Sequence, residues 1–206
     1  MRKVDRRVRR TRRQLNEAML SLVVEKNYEA ITIQDITERA DLNRATFYLH
    51  YGSKDELLVE SLTAHFDALV ARMEKETADL NVWEDPLHIQ LVFEFVAQHD
   101  QLFRTLLSEN GLGYVTNSII RYIAAYNIQK TATLDLSAQE IPNSFVAWHV
   151  AGSLFALVNW WLENDMPYPP ADMAQMAFQL CTRGTYSVLG QVMADLPQLP
   201  VGSQSN

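Results

Sequence analysis

Residues 32–58 read TIQDITERADLNRATFYLHYGSKDELL, and they carry the clearest helix-start and turn signals of the N-terminal part of the chain. Thr32 is placed to cap a helix that carries Asp35 three residues on. This is a capping-box-like pair with the acid near the positive end of the helix dipole. Asp41 and Leu42 predict a tight turn directly after that helix. The stretch therefore begins with one short, well-capped helix that ends abruptly.

A second short helix and the start of a long one follow the turn. Asn43 is a strong N-cap candidate for a helix over residues 44–51, which Gly52 ends. Ser53, with Glu56 at the capping-box position, then begins a helix that reaches about residue 80. Two short helices joined by a three-residue turn predict a helix-turn-helix, whose second helix fits the major groove of DNA.

The helix over residues 44–51 has two different faces. Phe47 and Tyr51 share the face that packs against the preceding helix, which directs outward the side chains of Arg44, Ala45, Thr46, Tyr48 and Leu49. In a groove, Arg44 can donate to guanine or phosphate and Thr46 can reach a base edge. Tyr48 can hydrogen-bond a phosphate, and Ala45 or Leu49 can touch a thymine methyl group. Contact with DNA explains an exposed tyrosine and leucine together.

Helical periodicity extends over the rest of the chain, because apolar residues recur three and four positions apart and strand-type alternation is nearly absent. A first helix carries its apolar face over residues 15–23, and later helices are predicted over 87–97, 99–109, 112–132, 143–164 and 171–193. Prolines at 167, 169 and 170 separate the last two. We expect an all-α protein of about nine helices. Its parts are an N-terminal three-helix helix-turn-helix domain (1–55), a C-terminal helical bundle (56–196) and a disordered tail (197–206).

Charge is unevenly placed along the 206 residues, whose net charge is −7. Residues 1–60 hold 12 Lys and Arg against 10 Asp and Glu, whereas residues 61–206 hold 6 against 15. Eight basic side chains and one acid lie within the first 13 residues. Such a cationic segment suits phosphates, and a solvated, frayed tail is the alternative interpretation.

Several classes of protein do not fit the sequence. No apolar run reaches the ~18 uninterrupted residues of a membrane span, and the basic N-terminus lacks the apolar segment of a secretory signal. The single cysteine, Cys181, has no disulfide partner within the chain. We therefore expect a soluble, cytoplasmic protein.

Catalytic and metal-binding motifs are also missing from the sequence: there is no phosphate-cradling glycine loop, nucleophile elbow or zinc motif. The five histidines are scattered without metal-ligand spacing, and His149 is predicted to be a buried histidine. We therefore expect that the protein is not an enzyme and that it binds neither a metal ion nor another cofactor.

The ordered set of motifs resembles the TetR family of bacterial transcription regulators over roughly residues 8–60. It consists of a basic N-terminal helix, TIQDI at 32–36 and ATFYLHYGSKDELL at 45–58. The resemblance implies a homodimer on a double-stranded DNA operator. By this resemblance, the positions that touch DNA in the family are held here by Thr32, Arg44, Thr46, Tyr48, His50 and Lys54, which Asn43 and Ala45 adjoin. With Leu49 from the outward helix face, these are the predicted DNA contacts.

Two residues depart from the family pattern, and two of the predicted DNA contacts have an alternative interpretation. Asp41 stands where the family usually has glycine, and aspartate tolerates a left-handed backbone. Tyr51 replaces a common phenylalanine and adds a hydroxyl that must reach water or phosphate. His50 can instead be a helix-end residue that interacts with the dipole, and Lys54 a solvated first-turn lysine. Because lysine at a helix N-terminus opposes the dipole, a phosphate beside Lys54 is the favoured interpretation.

The last two long helices are expected to dimerise. The helix over 143–164 is apolar nearly all round, so it needs cover on two sides, and the final helix carries a similar stripe. A four-helix interface between two copies is the natural proposal, formed by Phe145, Gly152, Ala156, Met173, Ala177, Cys181 and Gly184. A monomeric core is the alternative.

A small-molecule effector is expected from the resemblance, in a pocket among Phe93, Phe103, Tyr114, Tyr122, Tyr126, Trp148 and Trp160. Aromatic residues at helical spacing also form ordinary cores. Residues 152–166 resemble a C-terminal domain common among TetR-like proteins of Gram-positive bacteria, some of which respond to a protein or metabolic signal. A regulator or co-activator controlled by a protein partner is therefore the alternative, and repression is the commoner behaviour of the family.

Overall fold

The computed structural model describes residues 6–80, 85–107, 113–131 and 141–183. Over these ranges the chain is helical and contains no strand, which confirms the all-α prediction. A 3-10 turn, Tyr28–Ala30, separates the first two α-helices. The described α-helices are α1 (Arg6–Glu25), α2 (Ile33–Arg39), α3 (Arg44–Tyr48), α4 (Lys54–Glu76), α5 (Leu87–Gln98), α6 (Asp100–Leu107), α7 (Gly113–Thr131), α8 (Asn143–Glu163) and α9 (Pro170–Arg183).

The first helices form because their ends are capped as the sequence predicts. Thr32 Oγ1 accepts a 3.1 Å hydrogen bond from the Asp35 amide, and the Asp35 carboxylate accepts a 2.7 Å bond from the Thr32 amide. Asn43 caps α3, and Ser53 Oγ accepts a 3.1 Å bond from the Glu56 amide at the start of α4. These side chains satisfy amides that the helices leave without partners.

The turn between α2 and α3 has the left-handed backbone that its aspartate predicts. Asp41 has a φ of 54°, and the next amide, that of Leu42, donates a 2.9 Å hydrogen bond to the carbonyl of Thr37. The helix after the turn is shorter than predicted: α3 ends at Tyr48, because the His50 amide bonds to the carbonyl three residues back, at Phe47, as in a 3-10 turn.

One apolar core joins the helices. Leu15 and Met19 of α1, Ile36 of α2 and Phe47 of α3 are fully buried in it, and the same core continues into the C-terminal helices. α1 packs on α2, α4 and α6, whereas α8 packs chiefly on α7 and α9 chiefly on α5. Phe93 of α5 makes an edge-to-face contact with Trp161 of α8 at 5.2 Å between ring centroids. The long helix α4 therefore connects the helix-turn-helix to a second helical layer.

The break between α8 and α9 lies at the prolines, as predicted. Trp161 Nε1 donates a 2.8 Å hydrogen bond to the carbonyl of Tyr168, which folds the connection back over the end of α8. Arg104 of α6 donates a 2.5 Å bond to the carbonyl of Leu162 and lies 3.3 Å from the Asp165 carboxylate. A cation at the C-terminal end of α8 complements the helix dipole there.

Three polar contacts join α7 to α4. Their distances are 3.1, 2.7 and 2.9 Å, and they are made by Tyr114 to Asp55, Tyr122 to Asp67 and Lys130 to Glu74. Residue numbers rise together in both helices, so α7 runs parallel to α4. The first contact reaches the second residue of α4, immediately after the helix-turn-helix. Movement of α7 is thereby tied to α4 at several points.

One prediction about α8 is wrong: His149 is exposed rather than buried, because it lies on the side of α8 away from the core. By length and composition alone, α8 is the one described helix that could cross a membrane, and 28% of its apolar window is buried within the chain. The remaining residues of α8 are partly buried or exposed.

Candidate nucleic-acid interface

The outward face of α3 is exposed, as the sequence predicts. Tyr48 is 49% and Leu49 81% exposed, whereas Phe47 and Tyr51 are 0% and 2% exposed. Arg44 also lies at the surface. An apolar side chain as exposed as Leu49 gains free energy when a partner removes it from water. The buried pair fixes α3 against the core, and the exposed set faces away from it.

Arg44 and Tyr48 form a pair on this outward face. The Arg44 guanidinium donates a 3.2 Å hydrogen bond to the Tyr48 hydroxyl and lies 5.7 Å from the centroid of its ring. Both side chains are thereby held one turn apart on the same side of α3, while several of their donors stay free. A guanidinium and a phenol hydroxyl in this arrangement can donate to adjacent oxygens of a phosphate or to a guanine edge.

Thr46, Ala45 and Asn43 lie beside that pair. Ala45 is exposed. The half-buried Thr46 donates its hydroxyl to Asn43 Oδ1 at 2.9 Å, and the same oxygen accepts the Thr46 amide at 2.7 Å. Asn43 is therefore occupied in capping α3. Thr46 keeps acceptor capacity at its hydroxyl for a base or phosphate.

Thr32 and His50 lie at the edges of the predicted contact set. The Thr32 hydroxyl donates a 2.7 Å bond to Asp35, whose carboxylate also pairs with Lys26 at 2.9 Å. Hydrogen bonds from Lys26 and Thr32 hold the pKa of Asp35 well below its usual range. The half-exposed ring of His50 lies 6.5 Å from that of Tyr51.

Lys54 has protein partners that sequence reasoning missed. Its ammonium donates to the carbonyls of Tyr28 (2.9 Å), Ile31 (3.0 Å) and Glu29 (3.3 Å) around the end of the 3-10 turn. These bonds use all three N–H donors of the ammonium. Lys54 is therefore neither a free cation nor a simply solvated lysine in this structure, and its predicted contact with a DNA phosphate stays a prediction. No local pattern in the sequence marks carbonyls that lie more than 20 residues away.

Tyr51 also has a partner within the chain. Its hydroxyl donates a 2.6 Å hydrogen bond to Glu60, and Asn16 Oδ1 lies 3.3 Å away. Burial and the bond to Glu60 raise the pKa of Tyr51. The expectation that this hydroxyl must reach water or phosphate was wrong. Instead it ties the end of the helix-turn-helix to α1 and α4.

The structure separates the seven residues predicted to line an effector pocket between the core, the surface of α8 and α7. Phe93 and Phe103 are buried in the core, and Trp148 and Trp160 are 48% and 43% exposed on the outer side of α8. The prediction of one pocket is corrected. The three tyrosines lie along α7, where Tyr114 and Tyr122 donate to α4 and the ring of Tyr126 faces Lys130.

Packed rings fill the space between α4, α5, α6 and α7. Phe66 lies 5.3 Å from Tyr122, 6.2 Å from Phe95 and 6.3 Å from Phe103, measured between ring centroids. Such spacings are typical of aromatic core packing. The cluster includes Phe103 and Tyr122, two of the residues predicted to line an effector pocket.

A cavity of about 240 Å³ lies beside this cluster, between α1, α4 and the junction of α5 with α6. The rings of His65 and His99 meet there at 4.5 Å, and His65 Nε2 is a buried nitrogen without a hydrogen-bond partner among the described residues. Burial lowers the pKa of both imidazoles, and His99 lowers that of His65 further. Leu20 and Val24 of α1 complete one wall, so the cavity touches the helix that supports the helix-turn-helix.

The predicted dimer residues separate into two groups. Phe145 is 67% exposed and Ala156 is exposed, and a Cβ added to Gly152 would meet no atom within 4 Å. Met173 and Ala177 are each 2% exposed and pack inside the single chain, which corrects their assignment to a partner interface. Cys181 is exposed, and Gly184 lies outside the described residues. Of the predicted dimer residues, the exposed ones therefore lie mainly on α8, with Cys181 on α9.

The comparisons with known proteins cover both halves of the chain. Residues 17–60 match the family model of bacterial regulatory proteins of the tetR family, and residues 81–183 match that of a transcriptional regulator C-terminal region. The HTH-type transcriptional regulator YxbF of Bacillus subtilis is 28% identical over 90% of this chain. That alignment covers 48% of YxbF, so the chain spans about half of this relative's length.

Two further similarities extend beyond the N-terminal helices. The HTH-type transcriptional activator FasR of Mycolicibacterium smegmatis is 29% identical over 76% of this chain and 74% of its own length. The crystal structure of the regulator FadR of Bacillus subtilis in complex with stearoyl-CoA superposes with a TM-score of 0.62 at 17% identity. It covers 84% of this chain and 98% of that one.

Proposed function

Because the chain belongs to the TetR family of bacterial transcription regulators, we propose that it binds a palindromic DNA operator as a homodimer and represses transcription under the control of an effector. In this proposal residues 1–55 bind DNA in the cytoplasm, and residues 56–196 dimerise and respond to the effector. The observation that carries it is the exposed face of α3, with Arg44 and Tyr48 paired one turn apart and Leu49 81% exposed.

DNA binding by α3 follows from what its side chains offer. Arg44 and Tyr48 supply hydrogen-bond donors, and Leu49 and Ala45 supply an apolar surface that a thymine methyl group can cover. The caps at Thr32 and Asn43 and the buried anchor Phe47 hold α3 in one position, so little ordering is needed on binding. Thr46 and His50 flank the pair and complete the proposed contact surface.

Homodimerisation is supported by the outer face of α8. Phe145, Trp148 and Trp160 are exposed there, with Gly152 and Ala156 between them, so an opposing helix can approach closely at the small residues and pack on the aromatic ones. Two copies related by a twofold axis would present two α3 helices to half-sites about 34 Å apart, one turn of duplex.

Control by an effector is proposed as a shift between two dimer shapes, only one of which fits that spacing. The polar contacts between α7 and α4 support this proposal, since they join α7 to α4 along its length and the first of them reaches Asp55 at the start of α4. The filled aromatic cluster around Phe66 favours a second candidate, in which a protein partner rather than a small molecule supplies the signal.

Selection of bound fragments from genomic DNA tests the proposal. We expect enrichment of fragments with an inverted repeat, which then serve in gel-shift titrations. Arg44→Ala should weaken binding to such a fragment about 5- to 100-fold, and Tyr48→Phe less, while the melting temperature of each variant stays unchanged. Arg121→Ala, on the exposed surface of α7, is the control. A reporter gene behind the fragment decides between repression and activation.

Two results would contradict the proposal. One is that no fragment is enriched over random DNA, and the other is that Arg44→Ala binds the selected fragment as tightly as the wild type.

A further inference from the structure

The exposed arginines of α1 lie on one side of the helix, and we propose that this arginine stripe, formed by Arg6, Arg9, Arg10 and Arg13, is a second DNA-binding surface. It would bind backbone phosphates beside the groove occupied by α3. The inference rests on the proposed function and extends it, since it assigns phosphate contacts to a helix outside the helix-turn-helix.

The spacing of the stripe places its four side chains together. Positions i, i+3, i+4 and i+7 of an α-helix fall within an arc of about 100°. All four arginines are exposed. The opposite side of α1 carries the buried residues Leu15 and Leu22. The stripe therefore points directly away from the core, and it spans about 10 Å along the helix, the rise of about three base pairs.

The stripe has almost no compensating negative charge within the chain. Among the residues that the structure describes, Arg6, Arg9 and Arg10 have no carboxylate partner, and Arg13 shares an exposed contact of 3.6 Å with Glu17. Arg12, on another side of α1, lies 3.5 Å from Glu60 instead. Like charges three and four residues apart repel each other, and cations in the first turn oppose the helix dipole. A row of phosphates would relieve both effects.

The N-terminal half of α1 lies beside the helix-turn-helix. The guanidinium of Arg12 is 5.6 Å from the ring centroid of Tyr51, three residues after the end of α3. Nε2 of the Gln14 side chain donates a 3.5 Å hydrogen bond to the carbonyl of Ala40 at the end of α2. Arg13 of the stripe lies between these two contact residues, and the other three stripe arginines precede them in α1. A duplex held against α3 therefore has phosphates within reach of long arginine side chains.

The salt dependence of binding to random-sequence DNA tests the inference, because each phosphate contact adds about 0.9 to the slope of log K against log salt. The triple variant Arg6→Gln, Arg9→Gln, Arg10→Gln of the full chain is compared with the wild type on a labelled duplex of about 30 base pairs. We expect its slope to fall by about 2 to 3. Replacing the same three arginines by lysine should restore the slope.

A matched control removes the same charge elsewhere. Lys75, Arg121 and Lys130 are exposed on other helices, and their replacement by glutamine should leave the slope unchanged. An equal slope for the wild type and the stripe variant would overturn the inference, as would an equal loss in the control. Failure of the wild type to bind any duplex would instead contradict the proposed function. Melting curves confirm that the stripe variant is folded, as its exposed positions lead us to expect.

Discussion

The ammonium of Lys54 donates a 2.9 Å hydrogen bond to the carbonyl of Tyr28 and lies 4.3 Å from the centroid of the same residue's ring. The Tyr28 hydroxyl in turn donates to Asp55, the next residue of α4, and Asp55 also accepts the hydroxyl of Tyr114 from α7. Burial raises the pKa of Tyr114 to about 12, so it stays a donor at neutral pH. The start of α4 is thus fixed to the base of the helix-turn-helix on one side and to α7 on the other.

Removal of the Lys54 ammonium should destabilise the fold. Lys54→Met keeps the aliphatic stem and leaves carbonyls of the 3-10 turn without their donor, which we expect to cost about 1–3 kcal/mol in urea unfolding. Lys75→Met, exposed further along α4, should change the unfolding free energy by less than about 0.5 kcal/mol. Unchanged stability together with a lower salt slope for DNA binding would show Lys54 to be a phosphate ligand instead.

The left-handed backbone at Asp41 predicts an unusual order of substitutions. Asp41→Ala should lower the free energy of unfolding by about 1 kcal/mol, because a Cβ without a hydrogen-bonding group is strained at a φ of 54°. Asp41→Gly should be close to neutral, since glycine removes that strain and loses more backbone entropy on folding. Chemical denaturation measures both variants, and an alanine variant as stable as the wild type would refute the backbone assignment.

The His65–His99 pair predicts that mild acid destabilises the protein. Burial lowers the pKa of both imidazoles in the folded chain below the ordinary value of 6.5. The unfolded chain therefore binds protons first, so the stability is fully present above pH ~6.5 and declines as the pH falls below it. Among the residues lining the same cavity, Asp100 is the one with a charged side chain. Its carboxylate lies 3.7 Å from the Arg104 guanidinium, so it already has a cationic partner.

Melting temperatures at pH values of about 7.5 and 5.5 check this prediction. The drop between the two should be smaller for His65→Phe than for the wild type, because the variant has one titrating group fewer. Gln101→Ala, which changes an uncharged residue of the same cavity, should keep the wild-type drop. If His65→Phe and wild type lose the same number of degrees, the pair is not the acid-sensitive element.

The exposed face of α8 predicts the effect of a charge introduced at the proposed dimer contact. Ala156→Glu should convert the dimer to a monomer in sedimentation, since an unpaired carboxylate would be enclosed between two apolar helices. The single chain should stay folded, because Ala156 is exposed in it. Ala125→Glu on α7 carries the same change at another exposed position and should leave the dimer intact. If the Ala156→Glu variant still forms dimers, the interface lies elsewhere.

Sequence reasoning succeeds here where the controlling interactions are local. The caps at Thr32, Asn43 and Ser53 involve residues three positions apart, and the left-handed turn depends on Asp41 itself. The division of α3 into a buried face with Phe47 and an exposed face likewise follows from helical periodicity. For these reasons the helix-turn-helix and its outward residues could be predicted with no structure.

Contacts between distant elements could not be predicted in the same way. Lys54 and Tyr28 are 26 residues apart and Asp55 and Tyr114 are 59 apart, and no spacing rule connects such pairs. Periodicity also shows that a helix has an apolar face without showing what covers it. This is why Met173 belongs to the core while Trp148, expected in a pocket, lies at the surface.

The separation of charge along the chain affects how the protein meets DNA before any contact forms. The arginine stripe attracts a duplex, whereas residues 61–206, with 15 acids against 6 bases, repel it. Encounters are therefore oriented by long-range steering, so that the helix-turn-helix end arrives first and unproductive collisions of the acidic end are discouraged. This steering increases the association rate, and the increase diminishes as a higher ionic strength shortens the range of the electric field.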